Sequence, residues 1–169
     1  MESSGCDMET RNSYKQDALT LQPKGLRRLY KHLGQMSPDV EVFSSEKDNI
    51  FRGKFCSNRI NTNNPNCLGE GLYFLLSGNV SEKNLWIFPP PTLVMDTAQI
   101  IAQYKEHGTI WFTVASRFSS VIYQIFRNKS IKCVFKLCRK NEKNIFNIRP
   151  TDDYITFELD TTNKNLKRK

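Results

Sequence analysis

The sequence predicts an α/β fold with a small, mostly parallel sheet and an antiparallel C-terminal edge. Strand and helix patterns alternate through the middle of the chain, which favours parallel strands joined by helices. Residues 109–115 form a nearly continuous apolar run, as expected of a strand that is buried on both faces. Several strand patterns follow one another near the C-terminus, which indicates antiparallel pairing at one edge.

The first half predicts one helix and several short elements. Apolar residues recur every three or four positions up to Leu33, and Pro23 suits a first helical turn. Strands are predicted for residues 39–43 and 51–56. Residues 57–67 hold five Asn and one Pro, which predicts an irregular loop. The apolar residues 72–76 fit a short helix or a strand.

The second half alternates more clearly. Residues 84–88 are a strand pattern that ends at three consecutive prolines, and residues 92–106 have helical period. The strand at 109–115 is followed by a second helical pattern at 118–126. Further strands are predicted at residues 131–137, 144–148 and 154–159.

Length and composition predict one domain and a location inside the cell. The 169 residues are enough for a single core, predicted for residues 19–160, with a flexible tail at 1–18 and a basic tail at 161–169. No apolar run is long enough to cross a bilayer, and the polar N-terminus does not resemble a signal peptide. We therefore expect a nuclear or cytoplasmic protein without a membrane partner.

The cysteines predict neither a disulfide framework nor a metal site. There are five, at irregular spacings, with two histidines that lie far from any cysteine pair. A structural zinc site needs four ligands in two close pairs, which this sequence does not provide. We expect reduced thiols and no metal.

The positive charge is concentrated near the C-terminus. Residues 127–169 hold 12 basic and 5 acidic residues, whereas residues 1–126 hold 13 and 12. Such an excess favours contact with a polyanion, above all DNA or RNA, although a merely solvated basic face is the alternative. Alternation along residues 131–137 predicts that two lysines face one side of a strand. The candidate phosphate-binding residues are Arg127, Lys129, Lys132, Lys136, Arg139, Lys140 and Lys143.

The proline run after the strand at 84–88 is the most informative motif. Proline fixes φ, so the backbone carbonyls of Phe88-Pro-Pro-Pro91 point in set directions at the carboxyl edge of the sheet, where open α/β folds bind ligands. With the segments before and after it, from Leu26 to about Leu159, the chain resembles small phage-type N6-adenine methyltransferases. It is most similar to the methyltransferase-derived domain near the C-terminus of some tyrosine-recombinase retroelement polyproteins.

The matching segments occur in the same order as in that family. Residues 34–49 resemble Asp-x-Phe-Ala-Ser-x-x-Asn, Phe55-Cys-Ser57 resembles Tyr-x-Ser, and residues 69–72 stand where Asp-Gly-Leu lies. Residues 85–94 resemble Trp-x-Asn-Pro-Pro-Phe-x-x-Ile, and residues 108–119 resemble Thr-x-x-Leu-Val-Pro-x-Trp-x-Ser. The resemblance implies a Rossmann-like, methyltransferase-like sheet.

The sequence departs from the family at the catalytic motif. The resemblance places that motif at Phe88, Pro89, Pro90 and Pro91. Phe88 replaces the Asp or Asn that accepts a hydrogen bond from the target amine, and a phenyl ring cannot do so. Pro91 replaces the aromatic residue on which the base would stack. These changes imply a catalytically degenerate site.

The resemblance also implies candidate contacts for S-adenosylmethionine, for which an ordinary polar turn is the alternative. These candidates are Asp39, Glu41, Ser44, Ser45 and Asn49. We expect no bound cofactor if the domain is degenerate, and S-adenosylmethionine if it is active.

Three functions remain open at this stage. The first is a degenerate methyltransferase-like domain of viral or mobile-element origin that binds nucleic acid through its basic C-terminal surface. The second is an active methyltransferase with a divergent motif, in which Asp96 or Ser116 would activate the amine. The third is a viral accessory or interaction protein that binds neither nucleic acid nor cofactor.

Overall fold

A computed structural model describes most of the predicted domain, and both predicted tails lie outside the described residues. The described ranges are residues 19–34, 37–44, 54–57, 67–77, 84–104 and 108–160. In these ranges, no helix is long and apolar enough to cross a membrane.

Within the described residues the chain forms four α-helices and seven strands. The helices are α1 (Pro23–Leu33), α2 (Gly71–Leu76), α3 (Val94–Ala102) and α4 (Ser119–Ile125). The strands are β1 (Val40–Ser44), β2 (Lys54–Ser57), β3 (Cys67–Glu70), β4 (Leu85–Ile87), β5 (Thr109–Ala115), β6 (Ser130–Cys138) and β7 (Tyr154–Asp160). Short 3₁₀ turns at Pro91–Leu93 and Ser116–Phe118 lead into α3 and α4.

All seven strands join one sheet in the order β3-β2-β1-β4-β5-β7-β6. The first five in that order are parallel, and β7 is antiparallel to both β5 and β6. The predicted fold class is therefore confirmed: the chain has a small Rossmann-like α/β fold with an antiparallel C-terminal edge. Because β2 and β3 lie on one side of β1 while β5 lies beyond β4, the order of strands reverses between β1 and β4.

Helices cover both faces of the sheet. Alternate residues of β4 divide between two cores: Leu85 and Ile87 pack in the core that includes α2, α3 and α4, whereas Trp86 packs in the core that includes α1. The α1 face also buries a polar ladder. The indole N–H of Trp86 donates to Thr113 Oγ1 at 3.0 Å, and the hydroxyls of Thr113 and Thr156 lie 2.8 Å apart.

Two local predictions differ from the structure. Residues 144–148 are not a strand, because Phe146 pairs with Leu21 in an isolated bridge and Asn144 has a φ of 71°. Strand β3 has no strand pattern in the sequence and forms through parallel pairing with β2. The ambiguous segment at 72–76 is a helix, since the carboxylate of Glu70 accepts hydrogen bonds from the first backbone N–H groups of α2.

Candidate ligand-binding cleft and basic surface

A cleft lies at the carboxyl ends of the central strands, where the strand order reverses. This is the position at which open α/β sheets bind ligands. Its lining is made of apolar residues and one tyrosine, and none of these residues is charged. They are Leu19, Phe43, Phe88, Pro89, Pro90, Pro91, Val94, Val114, Ala115, Phe118 and Tyr154. Its enclosed part, about 40 Å³, is larger than one water needs.

The side chain before the prolines belongs to an aromatic cluster. The ring of Phe88 is half-buried, and its centroid lies 5.7 Å from Trp86, 5.6 Å from Phe146 and 5.9 Å from Tyr154. The contact with Tyr154 is edge-to-face, a favourable geometry for two rings. The motif position thus supplies packing to the wall of the cleft and offers no polar group to a ligand.

The proline run acts as the start of a helix. The carbonyl of Pro90 accepts a hydrogen bond from the backbone N–H of Leu93 at 2.9 Å, and Pro91 is the first residue of that 3₁₀ turn. Proline suits this position because its missing N–H has no partner there in any case. The backbone carbonyl of Pro90 therefore already accepts a hydrogen bond within the protein.

Phe43 also lines the cleft, in a strained conformation that the sequence did not predict. It lies at the end of β1 with a φ of 68°, which is unusual for a bulky residue. Its ring packs against Gly71, where an added Cβ would lie 2.6 Å from the Phe43 Cε1 atom. Strain of this kind costs roughly 1–3 kcal/mol and is often found at functional sites.

The carboxylate of Asp152 holds the segment that follows β5 beside the cleft. Asp152 accepts hydrogen bonds from the Ser116 hydroxyl at 2.8 Å and from the backbone N–H of Arg117 at 3.1 Å. The Arg117 guanidinium lies over the Phe118 ring, 4.9 Å from its centroid. Ser116, a candidate for an active enzyme, is thus a hydrogen-bond donor to Asp152. The other candidate, Asp96, is exposed in the first turn of α3 and does not line the cleft.

The described cofactor candidates do not assemble around the cleft. Asp39 precedes β1 at the amino edge of the sheet, where its carboxylate accepts the backbone N–H of Asn84 at 2.7 Å. Glu41 is buried within β1, between its partners on β2 and β4, and Ser44 is buried at the end of that strand. Ser45 and Asn49 lie outside the described residues. Of the described candidates, Ser44 stands at the carboxyl edge of the sheet.

The candidate basic residues are divided between two edges of the sheet. Strand β6 runs parallel to β5, because both are antiparallel to β7. Its nine residues span about 26 Å at 3.3 Å per residue. Arg127 and Lys129 precede the strand at the amino edge, whereas Arg139, Lys140 and Lys143 follow it at the carboxyl edge beside the cleft.

Several of these cations are engaged by the fold. Lys132 pairs with Glu158 at 3.8 Å, and Lys136 pairs with Asp153 at 3.2 Å. The ammonium of Lys129 donates to the backbone oxygen of Tyr104, and burial lowers the pKa of this lysine.

The predicted alternation along β6 is wrong. A β-bulge between Ile131 and Cys133 makes Lys132 the extra residue, so the strand does not alternate regularly between Lys132 and Lys136. These two lysines pair with different carboxylates, Glu158 and Asp153, which are five positions apart in the sequence. They do not form a regular stripe.

Metal-ligating side chains do not cluster in the described ranges. No group of three or more His, Cys, Asp or Glu in those ranges could hold a metal ion. Among the described residues, Cys56, Cys67, Cys133 and Cys138 form no disulfide.

Comparison with known proteins assigns no family. No family model matches the sequence, and no curated protein matches it. Among solved structures, the crystal structure of Thermoplasma acidophilum 1320 matches with a TM-score of 0.45 and 11% sequence identity, over 88% of this chain and 96% of that chain. A match this distant establishes neither a family nor a function.

Proposed function

We propose that the chain is a methyltransferase-like domain that has lost amine methylation and binds nucleic acid. The observation that carries the first half is the environment of Phe88. Transfer of a methyl group to an adenine amine needs an acceptor that holds and polarises that amine. At the corresponding position a phenyl ring packs edge-to-face on Tyr154.

The remaining lining of the cleft supports the same conclusion. Its residues are apolar apart from the hydroxyl of Tyr154, so no carboxylate or amide in this lining can take over the role of Phe88. The two residues that could activate the amine in an active enzyme do not support that role. The hydroxyl of Ser116 donates to Asp152, and Asp96 is not among the residues that line the cleft. The described lining of the cleft thus offers no carboxylate or amide side chain at the edge of the sheet where open α/β folds bind ligands.

The charge of the chain supports the second half of the proposal. The net charge is +8, and the connection between β6 and β7 carries Arg139, Lys140 and Lys143 at the same edge as the cleft. All three side chains are exposed. Exposed cations at this edge suit the phosphates of DNA or RNA.

Two titrations test the two halves separately. Calorimetric titration with S-adenosylmethionine should give no binding. Binding at micromolar concentrations would instead favour an active methyltransferase over a degenerate one. Fluorescence anisotropy with labelled single-stranded DNA, duplex DNA and RNA should give binding that weakens steeply as salt rises. Absence of such binding at low salt would favour an interaction protein with neither ligand.

A further inference from the structure

Helix α1 presents a row of cations that the charge distribution along the chain does not reveal. Lys24, Arg27, Arg28 and Lys31 follow the spacing i, i+3, i+4, i+7, so they share one face. The helix contains no acidic residue. Its other face is apolar and buries Leu29 and Leu33 against the sheet.

A second group of cations continues this row. Arg28 donates to the backbone oxygen of Leu137 at 3.0 Å and pairs with Glu142 at 2.7 Å. The same carboxylate accepts the backbone N–H of Arg139 at 2.9 Å. The turn at residues 139–143 is thereby fixed beside α1. We call the combined region the α1–turn surface, formed by Lys24, Arg27, Arg28, Lys31, Arg139, Lys140 and Lys143.

The electrostatics of neighbouring groups indicate a positive potential at this surface. The seven cations of this surface outnumber the carboxylate of Glu142, which pairs with Arg28. Asp153 lies nearby, where it pairs with Lys136 and accepts the backbone N–H of Lys140. The pKa of His32 is lowered, by partial burial first and then by the charges of Lys31 and Arg28.

The shape of the surface favours one class of polyanion. A basic amphipathic helix binds a membrane by inserting its apolar face. The apolar face of α1 is buried in the protein, with Leu29 fully covered, so this helix cannot insert an apolar face into a membrane, whereas Lys24, Arg27 and Lys31 are exposed. Lys24 and Lys31 are seven residues apart, about 10 Å along the helix, and a DNA duplex presents one phosphate of each strand per 3.4 Å of its axis, so the row can face several phosphates.

We propose that the α1–turn surface binds the phosphate backbone of nucleic acid. This inference rests on the proposed function and specifies where the nucleic acid lies. It places the phosphate contacts at α1 and at the carboxyl edge of the sheet, and not at the start of β6, where the candidate residues Arg127 and Lys132 lie.

A matched pair of double variants tests this location. Arg27→Gln with Lys31→Gln removes one arginine and one lysine from α1, and both side chains are exposed. Arg127→Gln with Lys132→Gln removes the same two residue types at the opposite edge, where both are also exposed. Arg28 is left intact because its ion pair with Glu142 fixes the surface. Thermal unfolding of each variant shows whether the fold is retained.

Binding of a labelled mixed-sequence single-stranded DNA is measured over a range of salt concentrations. The α1 variant should bind about tenfold more weakly than wild type, and its salt slope should fall by about 1.4, about 0.7 for each lost phosphate contact. The control variant should match wild type. Equal binding by the α1 variant and wild type would overturn the location, and so would a larger loss in the control. Failure of the wild type to bind single-stranded DNA, duplex DNA and RNA alike would instead overturn nucleic-acid binding as the proposed function.

Discussion

The guanidinium of Arg28 in α1 lies 2.7 Å from the carboxylate of Glu142 in the connection between β6 and β7. Arg28 also donates to Leu137 at the end of β6. Glu142 accepts a second hydrogen bond from the backbone of the same turn. Through these contacts Arg28 joins α1 to an edge strand and a turn that lie more than 100 residues further along the chain.

Neutralising Glu142 should make the stability of the protein less sensitive to acid. The hydrogen bond from Arg28 lowers the pKa of Glu142 to about 2, against about 4.3 in an unfolded chain. Because the folded pKa is the lower one, the ion pair stabilises fully above the unfolded pKa and loses its effect as the pH falls towards about 2. The Glu142 side chain is 20% exposed, so solvent screening reduces the contribution to about 1–2 kcal/mol.

Urea unfolding at several pH values between about 5 and about 3 measures this contribution. The free energy of unfolding of the wild type should decline more steeply than that of Glu142→Gln. Asp96→Asn, which removes an exposed carboxylate of α3, serves as the control and should follow the wild type. Parallel declines for wild type and Glu142→Gln would contradict the assignment.

Replacing Phe88 by Asn should destabilise the fold without restoring a cofactor site. The ring is half-buried and contacts Trp86, Phe146 and Tyr154, so its loss should lower the free energy of unfolding by about 2–3 kcal/mol. Phe88→Leu keeps an apolar side chain and should cost about 1 kcal/mol. Chemical denaturation ranks the two variants.

The same Asn variant tests whether the cleft binds S-adenosylmethionine. Phe88→Asn recreates the Asn-Pro-Pro pattern of the family that the sequence resembles. If the cofactor contacts are absent, calorimetry should detect no binding of S-adenosylmethionine by this variant. Micromolar binding would mean that Phe88 alone had closed a surviving site.

The sequence predicted elements whose signal is local and missed those that depend on a distant partner. The strand Thr109–Ala115 has its predicted bounds, because burial on both faces requires a continuous apolar run. Residues 144–148 are predicted to be a strand, but Ile145 and Phe146 are buried in the core that includes α1, and Phe146 pairs with Leu21. The spacing of apolar residues in a sequence indicates which residues are buried, but it does not indicate which element they pack against.

The candidate site follows the same division. The strand that ends in prolines is predicted from local signals, and its Phe88 and prolines line the cleft. The packing of Phe88 depends on Phe146 and Tyr154, which lie far along the chain. The separation of the basic residues depends on the direction of β6 relative to β5, which only the pairing with β7 determines.

The hydroxyl of Thr113 is expected to be the critical member of the ladder on the α1 face. It is fully buried and contacts both Trp86 Nε1 and the hydroxyl of Thr156. Thr113→Val keeps the volume but leaves both partners without this contact, so the free energy of unfolding should fall by about 2–3 kcal/mol. Chemical denaturation measures the change.

Thr156→Val is the matched control for that ladder. It removes one hydroxyl, while Thr113 still accepts the indole N–H of Trp86, so the loss should be smaller, about 1 kcal/mol. The double variant should lose less than the sum of the two single variants, since both remove the same Thr113–Thr156 contact. Additive losses would show that the two hydroxyls do not act as one network.

Gly25 should be essential for the position of α1. An added Cβ would lie 2.5 Å from the backbone oxygen of Ile145, and a backbone atom cannot move aside as a side chain can. Gly25→Ala should therefore lower the free energy of unfolding by about 1–3 kcal/mol, although alanine is the better helix former by about 1 kcal/mol. Thermal and urea unfolding measure the loss.

The same variant should weaken binding of nucleic acid, because α1 and the connection that holds Ile145 together build the α1–turn surface. Gly34→Ala is the control: its Cβ would meet nothing within 4 Å, but its φ of 68° imposes a backbone strain of roughly 1–3 kcal/mol. A comparable loss of stability at Gly34 should leave nucleic-acid binding at the wild-type level. If both variants bound equally well, the docking of α1 against Ile145 would have no part in forming the surface.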